Sequence, residues 1–300
     1  MPAKILIVGG TGFVGQHVLP RLQQAAPEDE FVLFVTGTAE TPPNIRSIRG
    51  SLQDTDSLSR AMATADGLIC LLPFSLGFIP KLVELCERNG VKRALFLGTP
   101  DVFNRRDIRR RYPLQEAEKA IQNSLLDWTL LRPTMIYGQP GDRTIERLAA
   151  YLRRMPVIPV PFSLLNHYYQ PLHVDDLAQG LAAAFYSDTT YRKAYNLSGR
   201  TPIRLRDLIH MTARGLGRRV FIIAVPSWPM RFLLHMYTKL LYSPAKGERR
   251  LMQIMAEKAQ DHSLARRDFG FKPRPFQLGL EVFRPQRVTR KQATDDSTDV

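Results

Sequence analysis

The chain has 300 residues, 44% of them hydrophobic, and carries 42 Lys and Arg against 28 Asp and Glu for a formal charge of +14. That length and apolar content allow a large buried core and exclude bulk disorder, while no stretch reaches the roughly 18 to 20 uninterrupted apolar residues that a bilayer span requires. The positive balance points to an anionic partner such as a nucleotide, nucleic acid or lipid headgroup, without choosing among them. Cys70 and Cys86 stand in neither metal nor CxxC spacing, and Met1-Pro2-Ala3-Lys4 runs straight into Ile5-Leu6-Ile7-Val8. No secretory leader is therefore expected, and the setting is read as reducing and cytoplasmic, with attachment to a membrane surface left open.

In chain order, short β-branched runs alternate with helical stretches, the pattern of a parallel sheet covered by helices on both faces. Strands are expected at 4–8, 31–35, 44–49, 67–72, 93–97 and 127–132, with helices at 12–24, 54–63, 77–89 and 113–124. Right-handed crossovers would gather the carboxyl ends of these strands on one edge, where ligands of doubly wound folds collect. Past Gly138 the regularity fades into a helix at 142–154, a Pro-rich run at 155–162, and helices at 174–186, 205–215 and 229–242. The last of these begins in the apolar-aromatic stretch Trp228-Pro-Met-Arg-Phe-Leu-Leu-His-Met-Tyr, which would pack on the lobe or lie on a membrane surface. The expected class is α/β, a Rossmann doubly wound parallel sheet over 1–138. A smaller C-terminal substrate lobe with returning core elements follows over 139–284, then a disordered tail over 285–300.

The first strand is followed by Gly9-Gly10-Thr11-Gly12-Phe13-Val14-Gly15, which opens directly into a helix. One glycine turns the chain, one removes a Cβ so that backbone N–H groups approach a pyrophosphate, and one lets helix pack on strand. The helix N-terminus then faces the negative charge, so an NAD or NADP diphosphate is expected there. An acid at the end of the second strand would favour NAD and a cation NADP. Thr36-Gly37-Thr38 offers neither, Glu40 and Arg46 lie nearby in sequence, and the preference stays open.

Five ordered segments carry a family resemblance: Gly9 to Gly15; Leu130-Leu131-Arg132-Pro133-Thr134-Met135-Ile136-Tyr137-Gly138; Pro171-Leu172-His173-Val174-Asp175-Asp176-Leu177-Ala178; Tyr195-Asn196-Leu197-Ser198-Gly199; and Phe269-Gly270-Phe271-Lys272-Pro273. Over roughly residues 4 to 280 the chain resembles the extended and atypical short-chain dehydrogenase/reductases, in particular the NAD-dependent epimerase/dehydratase family. The resemblance implies coenzyme contacts from Gly9, Gly10, Thr11, Gly12, Phe13, Val14, Gly15, Thr36, Ser51, Leu52, Leu71, Leu72, Pro73, Pro133 and Thr134. It also implies a Tyr acid/base, a Lys four residues later that lowers the Tyr pKa, and a Ser or Thr that orients substrate. A Tyr must be shifted down from about 10 to work at neutral pH, and i, i+4 neighbours on a helix are close enough to couple.

Here Thr99 stands at the Ser/Thr position, but Tyr112 and Lys119 are seven residues apart, which on a helix is about 10 Å of rise. Pro113 suits a first helical position, which would leave Tyr112 at or before the cap. Thr99, Tyr112 and Lys119 are the catalytic candidates, and Tyr137, Arg143 and His173 the substrate-binding ones. His173 sits at a strand-to-helix junction where an Asp is expected to cap. The arginines at 105, 106, 109, 110 and 111 form either a solvated face or a clamp for a substrate diphosphate. No metal set, P-loop lysine, GxSxG elbow or RNA-binding aromatic motif is present.

The expected function is hydride transfer to or from a nucleotide-linked or similar anionic, sugar-like substrate by an NAD(P)-dependent oxidoreductase or epimerase, with no nucleic acid partner and homodimerisation as the family habit. The alternative is a coenzyme-binding accessory or redox-sensing protein that lacks the Tyr-Lys couple.

Overall fold

The computed structural model describes residues 2–104, 108–138, 141–142, 144–226 and 259–283. Arg105, Arg106, Arg143, the helix expected at 229–242 and the tail from 285 lie outside the described residues, as do the side chains of Arg109 and Arg110.

Six strands, β1 (Lys4–Val8), β2 (Glu30–Thr36), β3 (Arg46–Gly50), β4 (Gly67–Cys70), β5 (Arg93–Leu97) and β6 (Asp127–Pro133), alternate with α1 (Phe13–Ala25), α2 (Thr55–Met62), α3 (Ile79–Arg88) and α4 (Ile108–Gln122). Then come β7 (Ile136–Tyr137), α5 (Ile145–Arg154), β8 (Val157–Pro161), β9 (Tyr168–Tyr169), β10 (Leu172–His173), α6 (Val174–Phe185) and β11 (Lys193–Leu197). The described residues end with β12 (Ile203–Arg204), α7 (Leu205–Gly215), β13 (Phe221–Val225), α8 (Ser263–Phe269) and α9 (Phe276–Gly279). The main sheet has the order β11-β6-β5-β4-β1-β2-β3, and every pairing in it is parallel.

Parallel strands buried on both faces need apolar residues in succession, and Ile5-Leu6-Ile7-Val8 supplies them. Leu6 and Val8 point into the core beneath α2, α3 and α4, while Ile5 and Ile7 point into the core beneath α1 and α6. A third core, around Leu152, Leu208, Ile209 and Phe276, belongs to the smaller lobe. Arg93, at the start of β5, ties α6 and the approach to β11 onto the sheet. Its guanidinium donates to the carbonyls of Asp127, Ala184 and Phe185 and to the hydroxyls of Thr129 and Thr190, and lies 4.6 Å from the Tyr191 ring centroid. Burial pulls its pKa down to about 10, which leaves it charged at neutral pH.

Several boundaries differ from the sequence reading for identifiable reasons. Asn44 turns the chain at φ 67°, so β3 begins at Arg46. Gly77, at φ 76°, closes a 3-10 turn, so α3 begins at Ile79. Helix α4 starts at Ile108, five residues before Pro113, which puts Tyr112 inside the helix and not at its cap. The proline there forfeits only one hydrogen bond near the N-terminal end. The Pro-rich run contains a strand, β8, which pairs in parallel with β13, a strand the sequence reading missed. A two-strand ladder leaves edges on which Pro159 and Pro161 need no amide hydrogen.

Candidate coenzyme site

The bend after β1 has the shape of a diphosphate cradle. Gly9 turns the chain at φ 86°, and the Gly12 N–H donates to the Gly9 carbonyl at 3.2 Å. The Gln16 N–H donates to the Gly12 carbonyl, so the amides of Phe13, Val14 and Gly15 stand ahead of the helical ladder. No side chain caps them and no acidic residue occupies the first turn of α1. The glycine duties divide cleanly. A Cβ on Gly10 would lie 2.6 Å from Leu33 Cδ2, and one on Gly15 would lie 2.5 Å from the Gly10 carbonyl carbon, so both serve close packing. A Cβ on Gly12 would meet only the Gly9 carbonyl oxygen, at 3.3 Å, so that side of the bend is open. Unpaired amides and a helix dipole around an open concavity suit a pyrophosphate.

Because all seven main strands run the same way, their carboxyl ends share the edge on which the bend lies. Thr36 is exposed at the end of β2, Ser51 and Leu52 follow β3, and Leu71, Leu72 and Pro73 follow β4. The Leu71 N–H donates to the Val8 carbonyl at 2.8 Å, which keeps this segment alongside the bend. Pro133 ends β6, and the Thr134 hydroxyl is already committed to the Gln170 carbonyl at 2.6 Å.

Sequence reasoning missed Arg49. Its guanidinium donates to the carbonyls of Gly37, at 2.9 Å, and Ala39, at 3.4 Å, in the loop after β2. Arg46 instead pairs with Glu30, at the opposite end of the sheet from this edge. The signal for Arg49 is register: β3 pairs Arg49 with Val35, one residue before the end of β2. That pairing was invisible while the strand was expected to start at 44.

The catalytic candidates are not assembled as a couple. Tyr112 is 64% exposed and Lys119 is exposed two helical turns away, while α4 buries Leu114, Ala117, Glu118 and Ile121. Thr99 is half-buried, and its hydroxyl accepts from the Asp101 N–H, capping the turn Pro100–Phe103. The inward stripe of α4 carries Glu118, whose carboxylate accepts two 2.7 Å bonds from Arg132, the guanidinium of which lies 5.0 Å from the Phe103 ring centroid. Arg111, two turns before Glu118, has a buried Nε with no hydrogen-bond partner.

His173 and Tyr137 are both buried. The His173 Nδ1, and not an Asp, caps α6 by accepting from the Asp175 N–H at 3.2 Å. Burial, first of all, holds the His173 pKa below its usual range, and its Nε2 is buried with no hydrogen-bond partner. Asp175 binds His17 of α1 at 2.7 Å, and Asp176 binds Arg274, so these acids dock α6 onto its neighbours. The Tyr137 hydroxyl donates to the Phe276 carbonyl, and burial drives its pKa up. Burial likewise pushes the Cys70 thiol up to about 12. Among the described residues no group of three or more His, Cys, Asp or Glu is placed to hold a metal, and no helix is long and apolar enough to cross a membrane.

Residues 9–151 match the family model for NAD(P)H-binding domains. In fold the chain is similar to solved structures of short-chain dehydrogenase/reductase and epimerase proteins. Across 90% of its length it is 22% identical to a 2-alkyl-3-oxoalkanoate reductase of Stenotrophomonas maltophilia, of which 94% is covered. Its fold matches that of a Citrobacter triphenylmethane reductase complexed with NADP(H), with a TM-score of 0.73 and 17% identity over 93% of this chain and 99% of that one. A Staphylococcus aureus nucleoside-diphosphate-sugar epimerase superimposes with the same TM-score of 0.73, at 17% identity over 93% and 99% of the two chains. The matched residues run from the bend through α4 and β6 into α5.

Proposed function

We propose that this chain is an NADP(H)-dependent reductase of a small anionic substrate, working without a Tyr-Lys proton couple. The observation that carries the reading is Arg49, a guanidinium held over the loop after β2, where a 2′-phosphate would stand. NADPH, when bound, supplies the hydride. The chain's own residues then have three tasks: the Phe13, Val14 and Gly15 amides hold the diphosphate, Arg49 pairs with the 2′-phosphate, and Arg111 offers a cation to the substrate. Epimerisation through oxidation of a hydroxyl needs a base to take the hydroxyl proton, and Tyr112 with Lys119 is poorly placed to provide one. Reduction of an electron-poor centre can draw its proton from water, so the geometry favours a reductase.

Two results are expected. Arg49→Ala weakens NADPH binding about 10- to 100-fold, the value of a charge-assisted hydrogen bond or two, and leaves NADH within about twofold. Equal losses for both coenzymes in a fluorescence titration would contradict the assignment. Tyr112→Phe and Lys119→Ala each leave NADPH oxidation, followed at 340 nm, within about threefold of the parent, whereas a proton couple would lose about 100- to 10,000-fold.

The exposure of Tyr112 also favours a second reading, a coenzyme-bound accessory protein. Tight NADPH binding with no oxidation across carbonyl, quinone and nucleotide-sugar panels would select it.

A further inference from the structure

The smaller lobe carries a feature that coenzyme binding leaves unexplained. Strands β8 and β13 form a two-stranded parallel ladder in which Val157 is opposite Phe221, Pro159 opposite Ile223 and Pro161 opposite Val225. The alternate residues Ile158, Val160 and Ile222 pack on the lobe core. By strand alternation the other face is Phe221, Ile223, Val225, Val157, Pro159 and Pro161, with no polar side chain, where a sheet half-exposed to water would present polar residues. Phe221 is 69% exposed and Ile223 52%.

At the edge of this face opens a cavity of about 360 Å³ lined by His210, Ala213, Arg214, Arg218, Arg219, Val220 and Phe221. Among the described residues no carboxylate pairs with Arg214, Arg218 or Arg219. The cavity lies at the C-terminal end of α7, whose dipole amounts to about half a negative charge, far less than three guanidiniums neutralise. Three guanidiniums with no carboxylate partner among the described residues, beside an apolar face, match the two layers of an anionic bilayer surface, phosphate outside and acyl chain beneath. After Pro226 and Ser227 the sequence continues into Trp228-Pro229-Met230-Arg231-Phe232-Leu233-Leu234, an apolar run with one arginine.

We propose that this face docks onto anionic membranes, with Phe221 and Ile223 entering the headgroup boundary and a lipid phosphate held among Arg214, Arg218 and Arg219.

The test is sedimentation of the full chain with phosphatidylcholine vesicles, with and without 30 mol% phosphatidylglycerol. Binding is expected only to the anionic vesicles, and 0.5 M salt should release it. The triple variant Arg214→Gln/Arg218→Gln/Arg219→Gln should bind about a hundredfold more weakly, at roughly a factor of five per arginine. A matched triple at Arg21, Arg60 and Arg88, all exposed, should stay within about threefold, although it removes the same charge. Phe221→Ser/Ile223→Ser should also lose binding, and an unchanged NADPH affinity shows that each variant is folded. Glycerol 3-phosphate at millimolar concentration should leave the pelleted fraction unchanged. Full competition by it would mean that the cavity takes a soluble phosphate and would overturn the membrane assignment. Equal binding to neutral vesicles, equal losses in the two arginine triples, or no binding would do the same.

Discussion

Gly15→Ala removes measurable coenzyme binding and destabilises the fold by about 2–4 kcal/mol, the range of a steric clash in a packed interior. The new methyl would lie 2.5 Å from the Gly10 carbonyl carbon, and its neighbours there are backbone, which cannot rotate away as a side chain could. Relief requires α1 to retreat from the bend, yet Val18, Leu19 and Leu22 anchor it in the core against Ile5, Ile7 and Leu33. A displaced helix no longer presents the Phe13 and Val14 amides to a diphosphate. Gly12→Ala is the companion variant: its φ of -76° suits alanine, and the nearest atom is the Gly9 carbonyl oxygen at 3.3 Å. That variant should unfold within about 1 kcal/mol of the parent, so its lost affinity reports ligand approach alone. Thermal unfolding and calorimetric titration separate the two effects, and a Gly15→Ala protein with parental affinity would refute the role given to the bend.

Glu118→Ala costs about 3–5 kcal/mol in urea unfolding, because it strands a buried guanidinium. Arg132 and Glu118 have side-chain exposures of 9% and 8% and meet through two 2.7 Å bonds. Replacing both, as Glu118→Leu/Arg132→Met, should recover most of the loss, since a well-packed apolar pair removes the desolvation cost along with the attraction. If the double variant is as unstable as the single one, the pair is not the source of the effect. The ion pair also has a positional consequence. It holds the Arg132 guanidinium against Phe103, just past Thr99, so the single variant should disturb this part of the crevice as well as the core.

The half of the molecule that was legible from sequence is the half in which local and long-range signals agree. The apolar run of β1, the glycine bend and α1 each demand the same strand-turn-helix unit, and burial on both faces makes the parallel strands nearly continuous apolar runs. The start of α4 was misread because Pro113 is as compatible with a first helical turn as with an N1 position. The β8-β13 ladder was hidden because its outward residues are apolar or proline, which erases the alternation that marks a half-buried strand. Arg49 and the His173 cap are tertiary facts. One depends on the register of β3 against β2, the other on a buried ring whose Nδ1 accepts the Asp175 N–H.

Coenzyme binding at the Gly9 to Gly15 bend, with Arg49 setting its preference, is tested most directly by calorimetric titration of the full chain with NADPH and with NADH. A one-to-one binding heat with NADPH, at least about tenfold tighter than with NADH, is the expected result. A protein that binds neither coenzyme, or binds NADH more tightly, would contradict it.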